Sequence, residues 1–191
     1  MSLTQFAPSG MLLWKYLQSI GVDPGPLYKK AGIEPALLSN PNARINVSCI
    51  ANVWSSATEY IKDPCFGIKL VQFWHPSMTG ALGYAWMVSP TLRQAMHRVE
   101  RYIHSISQGL DVELQDTPAG LKMSLHFAEE LEVHPQQHDM VLAVLISGGL
   151  YLRYPTSAHI HGGQDQGSYF NIAAWIANHG TYERHDKLLS D

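Results

Sequence analysis

The sequence is short of charge: Asp, Glu, Lys and Arg make up only 15% of it, against roughly 25% in ordinary soluble domains. A surface built from so few charges leaves apolar area for a ligand or a partner to cover. Cysteine is scarce as well. Cys49 and Cys65 have no CxxC spacing, so they form neither a disulfide framework nor a zinc site by themselves, and a reduced, cytoplasmic setting is expected. No signal peptide is legible, because Lys15 interrupts the apolar Met11–Trp14 at once. The longest apolar run, Met140–Leu152, is 13 residues and contains Gly148 and Gly149, well short of the ~20 that span a bilayer. Also missing are GxSxG, GxxxxGK[ST], GxGxxG and HExxH, which removes the common signatures of serine hydrolases, P-loop NTPases, dinucleotide enzymes and zinc proteases. Without repeats or low-complexity stretches, solenoids and disorder are excluded too.

What remains is a chain of 191 residues, 46% apolar, enough for one sizeable core. Its formal net charge is −3, the wrong sign for a dedicated nucleic-acid binder. The charge is uneven: residues 1–110 carry net +4 and residues 111–191 net −7, too mild a split for a basic arm and an acidic tail.

Periodicity predicts several helices. Leu12, Leu13, Tyr16, Leu17 and Ile20 are in helical phase over Gly10–Ile20, with Gly21 placed to end the helix. A short helix fits Pro24–Ala31 before Gly32, and Pro35–Leu38 adds one turn. Ser48 is in position to cap a third helix carrying Ile50, Val53, Trp54, Ala57 and Ile61, closing at Lys62–Pro64. Phe66–Phe73 and Thr79–Val88 read as further helices, the second through a small-residue string, Gly80–Ala85, that lets two backbones approach. Ser89 and Pro90 form the sharpest boundary, read as N-cap and first helical residue of a helix to Gly109. Its apolar stripe is Leu92, Met96, Val99, Ile103 and Ile106, and Arg93, His97, Arg101 and His104 line another face.

The period then changes to two. Leu110–Gln115 and Leu121–Phe127 alternate around Thr117–Gly120, which reads as a β-hairpin with one buried face. Glu129–Glu132 starts or approaches a long buried helix to about Tyr154, and Ala158–His161 reads as one more strand. The fold class expected is α+β: a helix-rich N-terminal half, then a hairpin, a long buried helix and at least one further strand.

Three features carry candidate chemistry. His159 and His161 would share one face of a strand, with Asp165 as a third ligand of a metal-dependent site, against the blander reading of a solvated strand end. The basic face with Arg98 would grip an acidic partner, or is simply solvated. The aromatics Phe66, Phe73, Trp74, Tyr84 and Trp86, beside Tyr102 and opposite His126 and Phe127, suit either an apolar pocket with a few orienting groups or a well-filled core.

Four segments in order, Asn42–Ile45, Asp63–Leu70, Gly80–Ala85 and Ser89–Met96, resemble the N-terminal, arabinose-binding-like effector domain of AraC/XylS-type bacterial transcription regulators, over residues 10–162. The resemblance implies a sensor followed by two helix-turn-helix units. It implies a cupin-like barrel for the subgroup's founder, but helical periodicity through residue 109 keeps the expectation at α+β. It does not make arabinose the ligand, since no cluster of Asn, Asp, Glu and Arg around a flat aromatic is legible.

The expected organisation is a sensor domain over residues 1–162, an atypical and truncated tail over 163–191, and no helix-turn-helix domain, so that DNA is contacted only through a part absent from this chain. The function expected is a cytoplasmic, non-catalytic ligand-sensing and dimerising domain of a transcriptional activator, without cofactor, metal or membrane contact. Tyr84, Trp86, Tyr102 and His126 are the expected lining of the site for a small organic effector. The alternatives are a ligand-free homodimerisation module and, third, the metal-dependent enzyme using His159 and His161.

Overall fold

A computed structural model describes residues 2–118 and 120–153. Helix α1 (Met11–Ser19) buries Leu12, Leu13, Tyr16 and Leu17, and Gly21 ends it at φ +80°, a conformation a Cβ would strain. Helix α2 (Gly25–Lys30) closes the same way at Gly32, and Pro35–Ser39 forms a 3₁₀ turn. Helix α3 (Val47–Thr58) buries Val47, Ile50, Val53, Trp54 and Ala57. Its cap is Asn46, whose side-chain oxygen accepts from the Ser48 N–H at 3.0 Å, so Ser48 is the second helical residue rather than the cap. The helix stops at Thr58, yet Ile61 is still buried just beyond it.

The expected helix over 66–73 divides into α4 (Phe66–Lys69) and a 3₁₀ turn, Leu70–Phe73. Phe66 sits in the core, stacked between Tyr16 at 5.9 Å and Trp54 at 5.5 Å. Helix α5 (Gly80–Met87) has the close approach its small residues predict: a Cβ on Gly83 would come within 2.2 Å of the Pro76 carbonyl oxygen.

Helix α6 (Leu92–Ile106) starts two residues later than the Ser89–Pro90 boundary implies. Thr91 is the N-cap, in extended conformation, with Oγ1 accepting from the Gln94 N–H at 3.2 Å. Ser89 is occupied elsewhere: its hydroxyl donates to the Ala85 carbonyl at 2.8 Å and accepts from Arg98 at 2.9 Å, tying the end of α5 to α6. A buried hydroxyl already engaged twice is unavailable to cap the following helix.

Two strands have no counterpart in the periodicity. Strand β1 (Thr4–Phe6) pairs antiparallel with β2 (Arg44–Asn46), with Gln5 opposite Ile45. The Arg44 guanidinium fastens them to α6, donating to Thr4 Oγ1 at 2.8 Å, the Thr4 carbonyl at 3.0 Å and the Ser105 carbonyl at 2.7 Å. The expected hairpin forms as β3 (Leu110–Thr117) and β4 (Gly120–Phe127), in register from Leu110–Phe127 to Thr117–Gly120. Leu110 and Val112 are buried, and the outward N–H of Leu114 is taken at 2.9 Å by Glu100 of α6. Hydrogen bonds from His97 and from that N–H hold the Glu100 carboxyl below its usual range.

The basic face of α6 meets this hairpin's acids. Arg93 pairs with Asp116, and His104 lies 2.7 Å from Asp111. Helix α7 (Pro135–Arg153) begins with proline as its first residue, and Glu129–Glu130 form a turn on the approach to it. The described residues therefore make an α+β fold with two two-stranded antiparallel sheets and no closed barrel. The strand expected at Ala158–His161 and the tail over 163–191 lie outside them.

Candidate functional site: an apolar cavity with three unpartnered polar atoms

The helices and hairpin surround a partly open cavity of about 130 Å³. Leu12 and Leu13 of α1, Ile50 and Trp54 of α3, and Leu82 and Trp86 of α5 form part of its wall. Val99, Ile103 and Ile106 of α6, Leu110 and Phe127 of the hairpin, and Met140, Val141, Val144 and Leu145 of α7 complete most of the rest. Helices α1, α3 and α6 contribute the stripes that their own periodicity turns inward. No charged side chain lines the cavity among the described residues.

Its polar groups divide into two sets. One set is satisfied within the protein. Tyr28 donates to the Gly10 carbonyl at 2.7 Å, and burial pushes its phenol well above the usual range. Gln5 donates to Ser9 Oγ at 3.0 Å, Ser9 to the Phe6 carbonyl at 2.6 Å, and Thr79 to the Pro76 carbonyl at 3.1 Å. Ser107 accepts from the Gly109 N–H at 3.3 Å. The other set belongs to lining residues but is buried from the cavity surface: the indole Nε1 atoms of Trp74 and Trp86 and the Oε1 of Gln137, without a hydrogen-bond partner among the described residues. Each such atom costs about 1–3 kcal/mol when left unmade. A fourth such atom, Ser147 Oγ of α7, belongs to a residue outside the lining.

The two indoles meet edge to face, centroids 5.7 Å apart. Trp86 is wedged from the other side: a Cβ on Gly148 of α7 would fall 2.4 to 2.8 Å from its ring. Glycine at 148 is what allows α7 to lie against the indole.

Of the four residues expected to line a site, Trp86, 3% exposed, lines the cavity. Tyr84 and Tyr102 are 54% and 49% exposed, pointing away from their helices' inward stripes, and the Arg101 guanidinium lies 5.3 Å from the Tyr102 ring centre. His126 is exposed on the hairpin, 3.5 Å from Glu113. The structure does not bring these four together. Phe66 and Phe73 belong to the core around Tyr16. Gln137 and the α7 residues are new to the lining. Their spacing, 137, 140, 141, 144 and 145, is a helical face with a single amide at its head, and that was the available signal. Among the described residues no three His, Cys, Asp or Glu side chains come close enough to share a metal ion; His159, His161 and Asp165 lie outside those residues. No described helix is long and apolar enough to cross a membrane.

With this geometry in place, comparison with known proteins gives one broad match: the family described as the arabinose-binding domain of AraC transcription regulators, N-terminal, matches residues 21–155. The chain belongs to that family. The ornithine utilization regulator of Pseudomonas aeruginosa PAO1 is 29% identical to this AraC-type domain over 94 residues, 49% of this chain and 28% of that protein. The matched part of the chain thus spans little more than a quarter of that relative. The family is that of a ligand-sensing regulatory domain, and most of the cavity lies within its matched span, with Gln5, Ser9, Gly10, Leu12 and Leu13 added from the segment before it.

Proposed function

We propose that this AraC-type domain is a non-catalytic effector sensor, and that the cavity between α5, α6, α7 and the hairpin holds a small organic effector. The observation that carries this reading is the apolar cavity itself, about 130 Å³ in volume, lined by α1, α3, α5, α6, α7 and the hairpin with a few polar residues among them. An apolar interior with a few fixed polar groups is the usual form of a small-molecule site. Trp86 is the residue of the expected lining that this reading keeps. An effector that binds one arrangement of these elements better than another shifts the population between them, and this is the only way it can signal. In the proposed regulator the domain acts in the cytoplasm as a homodimer of an activator, and DNA is contacted through helix-turn-helix units outside this sequence.

A thermal-stability screen of the full chain against diverse metabolite-sized compounds tests the reading. An effector at 100 times its dissociation constant adds about 2.7 kcal/mol to the folded state. At least one chemical class is expected to raise Tm in a concentration-dependent way, and the shift is expected to disappear when Val144→Phe fills the cavity from its α7 side. A screen in which no class raises Tm overturns the sensor reading.

A further inference from the structure

Helix α7 supplies Gln137, Met140, Val141, Val144 and Leu145 to the cavity wall, so the shape of the cavity depends on what holds that helix in place. Its first turn stands on the segment that enters α4. The Gln136 side chain spans this contact: its Oε1 accepts from the Gly67 N–H at 2.8 Å, and its Nε2 donates to the Pro64 carbonyl. The main chains meet there as well. A Cβ on Gly67 would fall 2.1 Å from the Gln136 carbonyl oxygen and 2.9 Å from the carbon that bears it, so only a residue without a side chain admits the helix at this distance. Neither Gly67 nor Gln136 lines the cavity.

The two sides of this contact differ in how readily they give way. Gly67 follows Phe66, which is fully buried and stacked between Tyr16 and Trp54. The turn before it is closed by Asp63, whose Oδ1 accepts from the Cys65 N–H at 2.9 Å and whose other oxygen pairs with Lys69. A close-packed core does not yield by an ångström without losing many contacts. Farther along, α7 meets side-chain rings rather than main chain: His138 stands edge to face with Phe127, centroids 4.3 Å apart, and Gly148 lies against the Trp86 indole. We infer that the Pro64–Gly67 segment is the seat that fixes the position of α7, and that Gly67 and Gln136 are positioning residues for the cavity wall, acting on it through the helix. A methyl group at residue 67 drives the Gln136 carbonyl back by about 1 Å before the contact opens to 3.0 Å, and α7 moves with it because its hydrogen bonds join turn to turn. Trp86 meets the helix at Gly148, about 18 Å from Gln136 at 1.5 Å per residue, and reports the movement. The inference does not depend on what occupies the cavity.

The test uses the full chain labelled with 5-fluorotryptophan, its five fluorine resonances assigned by single Trp→Phe replacements. In Gly67→Ala the Trp86 resonance is expected to shift, while that of Trp14, which meets Tyr28 edge to face, stays in place. An unmoved Trp86 resonance in the folded variant overturns the inference, whether or not Trp54 beside Phe66 moves. A shift of Trp14 as large as that of Trp86, the mark of a rearranged core, overturns it too. Gln136→Met removes both side-chain hydrogen bonds at nearly constant volume and leaves Gly67 in place. Hydrogen exchange read by mass spectrometry is then expected to run roughly tenfold or more faster over residues 139–147, the loss of two net hydrogen bonds, with α1 and α3 unchanged. Unchanged exchange in α7, or the same acceleration throughout the chain, overturns the inference. Where Gly67→Ala does not fold, Gln136→Met decides alone. Failure of both variants to fold overturns it as well, because the seat then serves the whole core rather than α7.

Discussion

Asp63 illustrates how a single half-buried residue couples this domain to pH. Its carboxyl is held below the usual carboxylate range, first by the hydrogen bond from the Lys69 ammonium and then by the N–H of Cys65, while the same contact raises the pKa of Lys69. A carboxylate with a depressed pKa contributes stability above its unfolded value of about 3.9 and loses it as pH falls through the lower folded value. The raised Lys69 keeps its share below its unfolded value of about 10.4 and loses it as pH rises through the folded one. The pair therefore stabilises the segment entering α4 across the whole neutral range. Because both side chains reach solvent, its worth is at most about 1 kcal/mol. Asp63→Asn is expected to lower urea-unfolding stability by up to that amount at pH 7, with the difference from wild type narrowing below pH 4. A difference that stays constant down to pH 3 would show that the ion pair is not the cause.

At the scale of the elements, the start of α6 shows what sequence can and cannot announce. Thr91→Ala removes the one side-chain acceptor for the helix's orphan N–H groups and is expected to cost about 0.5–2 kcal/mol in urea unfolding with the m-value unchanged; an unmoved midpoint would mean the cap is elsewhere. The motif Ser89-Pro90-Thr91 offers two capping hydroxyls, and nothing local says that Arg98 and the Ala85 carbonyl engage the first. Long periodic segments were legible for a simple reason: α1, α3, α6 and the hairpin each bury one face, so their burial period is written in their residues. Strands β1 and β2, three residues each, are too short to carry a period, and their pairing joins Gln5 to Ile45 across the first two helices. The site was legible in part for the same reason. Trp86 stood out as an aromatic, whereas Gln137 joins the lining only once α7 is folded against the other helices. Tyr84, Tyr102 and His126 share the chemistry of a site but lie on outward faces, and composition does not distinguish the two sides of a helix.

For the molecule as a whole, the low charge has a visible outlet. Val88 is 75% exposed, and Leu142 and Ile146, one turn apart on α7, are also exposed, in a chain where apolar residues outnumber charged ones threefold. Self-association is the proposed use of such a surface. Sedimentation equilibrium at tens of micromolar is expected to give twice the 21.3 kDa of one chain, and a single species of that chain mass at the highest attainable concentration would refute the dimer.

The contact between Gly148 and Trp86 has a mechanical meaning. With no room for even a methyl group between them, the indole cannot tilt toward α7 unless the helix itself moves. The angle of the ring and the position of α7 are therefore coupled. In the proposed sensor, a molecule that turns the Trp86 ring is expected to shift α7 with it.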